Sequence, residues 1–328
     1  MSTDPDAVSI LRASWANTSA TVADSDYELI ADLGAAFAAR SRAGLAALVV
    51  PLSKMDASAV GRLASGLELL GYVATRFVHG GRDWTGPAAA LVCSDPDLLE
   101  AFGVLAADVV ARSAEGGATW STIVAVVEEW QMLLASRGRP SNEAETGLWG
   151  ELWFINASAN VGRTLATWRG PERDAADFFV DGMSAEIKTA RARRQHHVSM
   201  SQVEAPIGVG EAWLVSIWVK VDPAATVTVP VLVDEILERA PDRADALRRI
   251  ARAGYSPADR KTYCMTFAVL AEPEWYRVDR VPRVRAVDIG VSQLRYRISL
   301  DASTCADSAA AQRLWRHFHG HDYRSTER

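Results

Sequence analysis

The chain has 328 residues, 49% hydrophobic and 23% charged, which suits about two globular domains at roughly 150 residues each and excludes a chain that is disordered throughout. Lys and Arg number 35 against 41 Asp and Glu, a net charge of -6, so contact with an anionic polymer requires a local basic patch rather than a global field. Cys93, Cys264 and Cys305 are far apart and in no CxxC spacing, which excludes a disulfide framework and a zinc knuckle and fits a reducing cytoplasm.

The opening MSTDPDAVSILRAS has no basic stretch before an apolar one, so no signal peptide is expected. The longest apolar run, residues 43–52, is about half the roughly 20 residues of a membrane helix, and a soluble cytoplasmic protein without membrane contact is expected. Neither a P-loop, nor HExxH, nor GxSxG occurs, which leaves NTPase, zincin and hydrolase-elbow chemistry without support.

Residues 1–140 are expected to form an α/β domain of unknown role. Residues 45–52 and 88–93 read as buried strands, and residues 98–113 and 120–136 as amphipathic helices. The polar stretch SRGRPSNEAET, residues 136–146, marks a linker. Ser141 or Asn142 can cap the next helix, through GLWGELWFINASANVG, with Glu143 and Glu145 in its first turn. Glu151 is the one charged residue between Gly147 and Gly162, and a carboxylate among Leu, Trp, Phe and Ile is costly to bury unless paired or bound to metal. Gly147 and Gly150 beside it permit close approach of another backbone.

The segment DFFVDGMSAEIKTA, residues 177–190, carries the chemistry. Asp181-Gly182 between apolar runs signals a type I′ hairpin, a register that sets Phe178 opposite Ala185 and Asp177 opposite Glu186. Directly opposed side chains have Cβ atoms about 4.5–5.5 Å apart, and like charges there repel. With a side-chain period of two, Lys188 shares the face of Glu186, while Phe178, Val180, Ala185 and Ile187 face the core. A divalent cation between Asp177 and Glu186 would offset the repulsion, and hard oxygen donors suit Mg²⁺ or Mn²⁺; Lys188 could then hold or activate the attacking water. The bland reading is a water-screened surface hairpin. The basic run KTARARRQHH holds Arg191, Arg193, Arg194, His196 and His197 and supplies the local patch for phosphate contacts. Ser199 and Gln202 could donate to phosphate or read a base edge, or simply cap a helix.

Beyond the basic run, residues 211–221 read as a strand and residues 233–254 as a charged helix broken at Pro241. Residues 262–270, 275–278 and 294–300 read as strands, closing a domain of residues 141–300. Residues 301–328 are expected to be a helix and frayed tail, with His317, His319 and His321 in a disordered or partner-binding segment rather than a metal site. Trp149, Trp153 and Trp168 are expected in the core rather than stacked on bases, and the echo of WTGP at Trp84 in WRGP at Trp168 is expected to be chance.

The order GLWGELWFI, WRGPERDAADF, AEIKTA, HHVSMSQ, with the late segments ARAGYSPADRKTYCMTFAV and GVSQLRYRISL, resembles the PD-(D/E)XK nuclease superfamily. More specifically it resembles a family of PD-(D/E)XK proteins encoded among bacterial restriction and phage-defence genes. The resemblance implies an α/β (α+β) fold with a restriction-endonuclease-like core, a mixed sheet flanked by helices, behind the N-terminal α/β domain. It implies that Asp177 and Glu186 bind Mg²⁺ or Mn²⁺, that the Ile187 carbonyl completes the shell, that Lys188 orients the water and that Glu151 is an auxiliary ligand. The proline of the motif is displaced, since Ala176 precedes Asp177 and Pro171 lies upstream. The implied activity is DNA endonuclease cleavage in restriction or phage defence, by in-line attack of water with the metal as Lewis acid and source of the nucleophile. Implied partners are DNA and other defence-system proteins, such as a methyltransferase or an ATPase. A homodimer would suit double-strand cutting. The rival reading is a non-cleaving DNA-binding or assembly subunit that keeps the nuclease fold and works only within a complex.

Overall fold

The computed structural model describes residues 5–16, 26–55, 59–64, 66–79, 82–131, 133–135, 137–172, 175–204, 210–284 and 294–323. Residue 136 of the linker, residues 173–174 of WRGPERDAADF, residues 290–293 of GVSQLRYRISL and the last five residues of the tail lie outside them. The protein is mixed α/β, and among the described residues no helix is long and apolar enough to cross a membrane. It divides into two compact units: Met1–Gly138 with Pro241–Ala251 and Ser256–Lys261, and Arg139–Ala240 with Arg252–Tyr255 and Thr262–Arg328.

In the first unit, α1 (Pro5–Ala16) precedes β1 (Tyr27–Asp32), β2 (Phe37–Ser41), β3 (Ala46–Pro51), β4 (Ala59–Ala64), β5 (Leu67–His79) and β6 (Arg82–Cys93), followed by α2 (Leu99–Gly116) and α3 (Trp120–Gln131). The sheet runs β1-β2-β3-β6-β5-β4, and β1 also pairs with β5, so five strands close into a ring around Tyr27, Leu29, Val49, Phe77 and Val92. The expected strands 45–52 and 88–93 are β3 and the end of β6, and the two expected helices are α2 and α3. The other four strands escaped the sequence reading; β2 and β4, FAARS and AVGRLA, are short and alanine-rich, with few of the β-branched residues that mark a strand, whereas β5 is 13 residues long and carries Val73, Thr75 and Val78.

The second unit is built from α4 (Asn142–Asn156), α5 (Val161–Thr167), β7 (Phe178–Val180), β8 (Met183–Ala190), β9 (Gln195–Ser199), β10 (Glu211–Val221) and α6 (Val229–Arg239). The intervening α7 (Arg243–Arg252) lies largely in the first unit; the helical stretch expected over residues 233–254 is thus two helices parted at Pro241. The second unit resumes with β11 (Phe267–Val269), β12 (Glu274–Arg277), β13 (Arg295–Ser299) and α8 (Ser308–His319). Its sheet runs β11-β10-β8-β7 with β12 also on β10, while β13 and β9 form a separate ribbon. Strands β8 and β10 are parallel, and β8, which carries Glu186 and Lys188, lies between β10 and the edge strand β7, which Asp177 precedes.

The carboxy-terminal segment is not a frayed tail. Leu314, Trp315 and Phe318 are buried, an amphipathic spacing that gives α8 a core-facing stripe. The ring of His319 stacks on Trp315 with centroids 3.7 Å apart and its Nε2 meets the Phe154 carbonyl at 2.9 Å. His317 Nε2 meets Val180 O at 3.0 Å and His321 Nε2 meets Ala157 O at 2.7 Å. The three histidines tie α8 and the residue pair after it to the backbone of two neighbouring segments, α4 with its C-cap and β7. Trp149 and Trp168 are fully buried, and Trp153 stacks on Trp149, so these rings serve packing.

Helix α4 crosses β8 closely at Gly150, where a methyl group would stand 1.7 Å from Thr189 Oγ1 and 2.8 Å from Thr189 Cβ. The close approach expected of this glycine is thus to a side chain. Nothing lies within 4 Å of a methyl at Gly147. Gly150→Ala is therefore predicted to destabilise the fold by about 1–3 kcal/mol, as overpacking does. Gly147→Ala is predicted to be neutral or to gain up to about 1 kcal/mol of helix propensity. Urea unfolding midpoints that move alike for both would contradict this contact.

Candidate metal centre and cleft

The hairpin forms as its sequence requires. Asp181 and Gly182 both have positive φ, 44° and 83°, the left-handed conformations that a type I′ turn needs. Phe178 pairs with Ala185, Phe179 with Ser184 and Val180 with Met183; carried one step on, this register sets Asp177 beside Glu186. Phe178, Val180, Ala185 and Ile187 are all buried in the core. Glu186 is also buried, at 2% exposure, so the opposite face is no solvated surface and the water-screened reading of the hairpin does not hold.

Each polar group of the cluster has a defined partner. Asp177 Oδ2 accepts the Ile187 backbone N–H at 2.7 Å. The Lys188 ammonium lies 2.7 Å from Glu186 Oε1, although no donor is aligned on that buried oxygen. Helix α4, capped by the Ser141 hydroxyl, brings Glu151 to the same place, where its Oε2 accepts the Trp168 indole N–H at 2.9 Å.

Burial in the first place and the Asp177 charge in the second push Glu186 up to about 8, against the pull of Lys188. Burial likewise raises Asp177, opposed by Lys188 and the Ile187 N–H. Glu151 is raised well above the carboxylate range by burial and by Asp177. Burial works against the Lys188 ammonium, but Glu186 and Asp177 outweigh it and hold it above the ordinary lysine range. Three carboxyls and one cation therefore share a site too poor in positive charge to ionise fully without further help.

The cluster lies in a cleft of about 510 Å³ lined by Glu151, Asp177, Glu186, Ile187 and Lys188, with Arg191, His197, Gln202 and Arg297 also contributing. Of the basic run, Arg191, His196 and His197 line this cleft. Arg193 and Arg194 are instead engaged by Glu274, at 3.0 Å for Arg193 and 2.7–2.8 Å for the two nitrogens of Arg194. Arg193 also lies over the Trp218 ring. Glu274 is depressed to about 2, chiefly by Arg194. His196, expected as a phosphate contact, is buried at 3% exposure; its Nε2 meets Ser216 Oγ at 2.8 Å, and burial, then the Lys188 charge, lower it to about 4. It is a buried, neutral group in the wall of the cleft, not an exposed cation.

Ser199 and Gln202 do not cap a helix by side chain; the short 3-10 turn Ser201–Val203 has no such cap. Gln202 Oε1 instead accepts the Ser199 N–H and the residue lines the cleft. Two contributors were missed by sequence reading. Arg297 stands opposite His197 across the β13–β9 ribbon; the alternation in RYRIS was its signal. Trp168 gave none beyond the repeated WxGP, because nothing in a sequence distinguishes a core tryptophan from one whose N–H is aimed at a carboxylate.

The donor set suits a hard divalent cation: three carboxyl groups, buried against their charge preference, one with an oxygen that lacks an aligned donor. Among the described residues no three His, Cys, Asp or Glu groups are already gathered into a metal cage, and Lys188, the Ile187 N–H and Trp168 hold the carboxylates instead. The residues fit the cation in charge and chemistry.

A family model described as "Putative PD-(D/E)XK family member, (DUF4420)" matches residues 35–301. Neither a curated protein nor a solved structure matches the chain.

Proposed function

The chain belongs to this PD-(D/E)XK family, which brings with it a nuclease-like fold, and on that premise we propose that it is a divalent-metal-dependent DNA endonuclease acting in restriction or phage defence. The observation that carries the proposal is the buried set of Asp177, Glu186 and Glu151 with Lys188, in a cleft that also holds Arg191, His197 and Arg297. Asp177 and Glu186, with the Ile187 carbonyl, would hold Mg²⁺ or Mn²⁺, and Glu151 would assist. The cation would supply Lewis acidity at the phosphoryl group and lower the pKa of water. Lys188, kept charged by its neighbours, would donate to the attacking water or to a phosphoryl oxygen and so orient the in-line approach.

Arg191, His197, Arg297 and the Gln202 side chain are the proposed phosphate contacts, while Arg193 and Arg194 are already neutralised by Glu274. Arg297→Ala is accordingly predicted to weaken DNA binding uniformly across sequences and to reduce the salt slope of log K by about 1, as loss of one phosphate contact does. Arg193→Ala is predicted to leave that slope within error. Salt titrations with equal slopes for the two variants would contradict this division of the basic run.

The proposed function is tested by incubating supercoiled plasmid, modified and unmodified, with the protein and Mg²⁺ or Mn²⁺ beside Lys188→Gln. Nicked or linear product from the parent alone supports it. Retarded but uncut DNA on every substrate would replace it with a binding subunit that requires partner proteins.

A further inference from the structure

We propose that Trp168, Arg169 and Gly170 form a positioning clamp that fixes the Glu151 and Asp177 carboxylates relative to each other, an inference that rests on the reading of the site as a metal centre. Trp168 is fully buried, and its indole N–H donates to Glu151 Oε2 at 2.9 Å. The same short segment reaches the strand that carries the other carboxylate: Trp168 forms an antiparallel bridge with Phe178, and the Arg169 N–H donates to the Asp177 carbonyl at 2.6 Å. Gly170 closes the arrangement. A methyl group there would stand 2.5 Å from Glu151 Oε2 and 2.6 Å from Trp168 Nε1, so no larger residue fits behind the bond.

The chemistry explains the residue type. A glutamate on a helix has three rotatable side-chain bonds, and a single bond to one oxygen from a rigid, packed donor removes most of that freedom. Indole is a donor only. It can orient a carboxylate without titrating near neutrality, as histidine would, and without offering a lone pair to a cation, as histidine or the carbonyl oxygen of glutamine would. The clamp thus couples the helix-borne carboxylate to the strand-borne one through three consecutive residues, the role that partners behind metal ligands commonly fill.

The test is a double-mutant cycle on the full chain, read by Mn²⁺ calorimetry and by the indole resonances in a ¹H–¹⁵N spectrum. Trp168→Phe keeps most of the ring and removes the donor; Gly170→Ala, as a second variant, presses on the bond from outside. Each is expected to weaken Mn²⁺ binding about 10-fold or more. In a Glu151→Gln background Trp168→Phe is expected to add little. The Trp168 indole resonance, identified by its absence in Trp168→Phe, is expected to move in Glu151→Gln. Unchanged Mn²⁺ affinity in both variants, an equal loss in both backgrounds, or an indole resonance indifferent to Glu151→Gln would overturn the clamp while leaving the metal reading intact. A parent that binds no Mn²⁺ would overturn both.

Discussion

Glu186→Gln is expected to stabilise the metal-free protein and to abolish hydrolysis together. Glu186 is 2% exposed and beside Asp177, and burial pushes its carboxyl up to about 8. Ionising such a group costs folding free energy that the unfolded chain does not bear. Glutamine has nearly the same shape and no charge, so the cost disappears, while Lys188 keeps Asp177 as a counter-charge. The metal-free variant should therefore melt several degrees above the parent at pH 8, with the two converging near pH 5. Loss of a proposed metal ligand should lower the cleavage rate by roughly 10³-fold or more, about 4 kcal/mol of transition-state stabilisation. An ordinary structural carboxylate would behave in the opposite way, and a variant that is less stable but fully active would contradict the assignment.

The second large expected effect is an inverted pH dependence in the absence of metal. A group whose folded pKa lies above its unfolded value contributes stability that is fully present below the unfolded pKa and lost as pH rises through the folded one. For Glu186 that window runs from about 4.5 to about 8, and Glu151 and Asp177 are shifted in the same direction. His196 and His319, both lowered to about 4 chiefly by burial, act oppositely: the unfolded chain binds their protons first, so stability rises between about pH 4 and 6.5. Glu274, lowered to about 2 chiefly by Arg194, adds stability that is complete by about pH 4.5. The carboxyl cluster is therefore isolated between pH 6.5 and 8. Thermal unfolding in chelator should show a melting temperature that falls across this interval. Saturating Mg²⁺ or Mn²⁺ should remove or reverse the fall, because a cation replaces the protons and binds the folded state alone. A metal-free melting temperature that is level or rises from pH 6.5 to 8 would contradict the account.

The hairpin was legible in the sequence because one dipeptide, Asp181-Gly182, determines both the turn and the register, and the register brings Asp177 to Glu186. Glu151 was legible as a charge that its helix could not bury alone. The division of the basic run was not legible: Arg191 and Arg194 read alike, and only Glu274, some eighty positions later, captures Arg193 and Arg194. His196 and His197 are adjacent and both border the cleft, yet the strand period buries one against Ser216 and leaves the other exposed. The closed sheet of the first unit was not legible because its closure depends on β1 pairing with β5, some fifty positions on, and the helix expected near the carboxy terminus was legible while its docking through His317, His319 and His321 was not. In each case the deciding partner is remote in sequence.

The most direct test of the central claim, that Asp177, Glu186 and Glu151 form a divalent-metal centre, is a calorimetric titration of Mn²⁺ into the parent and Glu186→Gln at pH 6.5 and pH 8. The account predicts binding by the parent with release of protons, tightening by up to about tenfold per pH unit for each proton displaced, and its loss in Glu186→Gln. Binding that is independent of pH and unaffected by the substitution, or no binding by the parent, would contradict it.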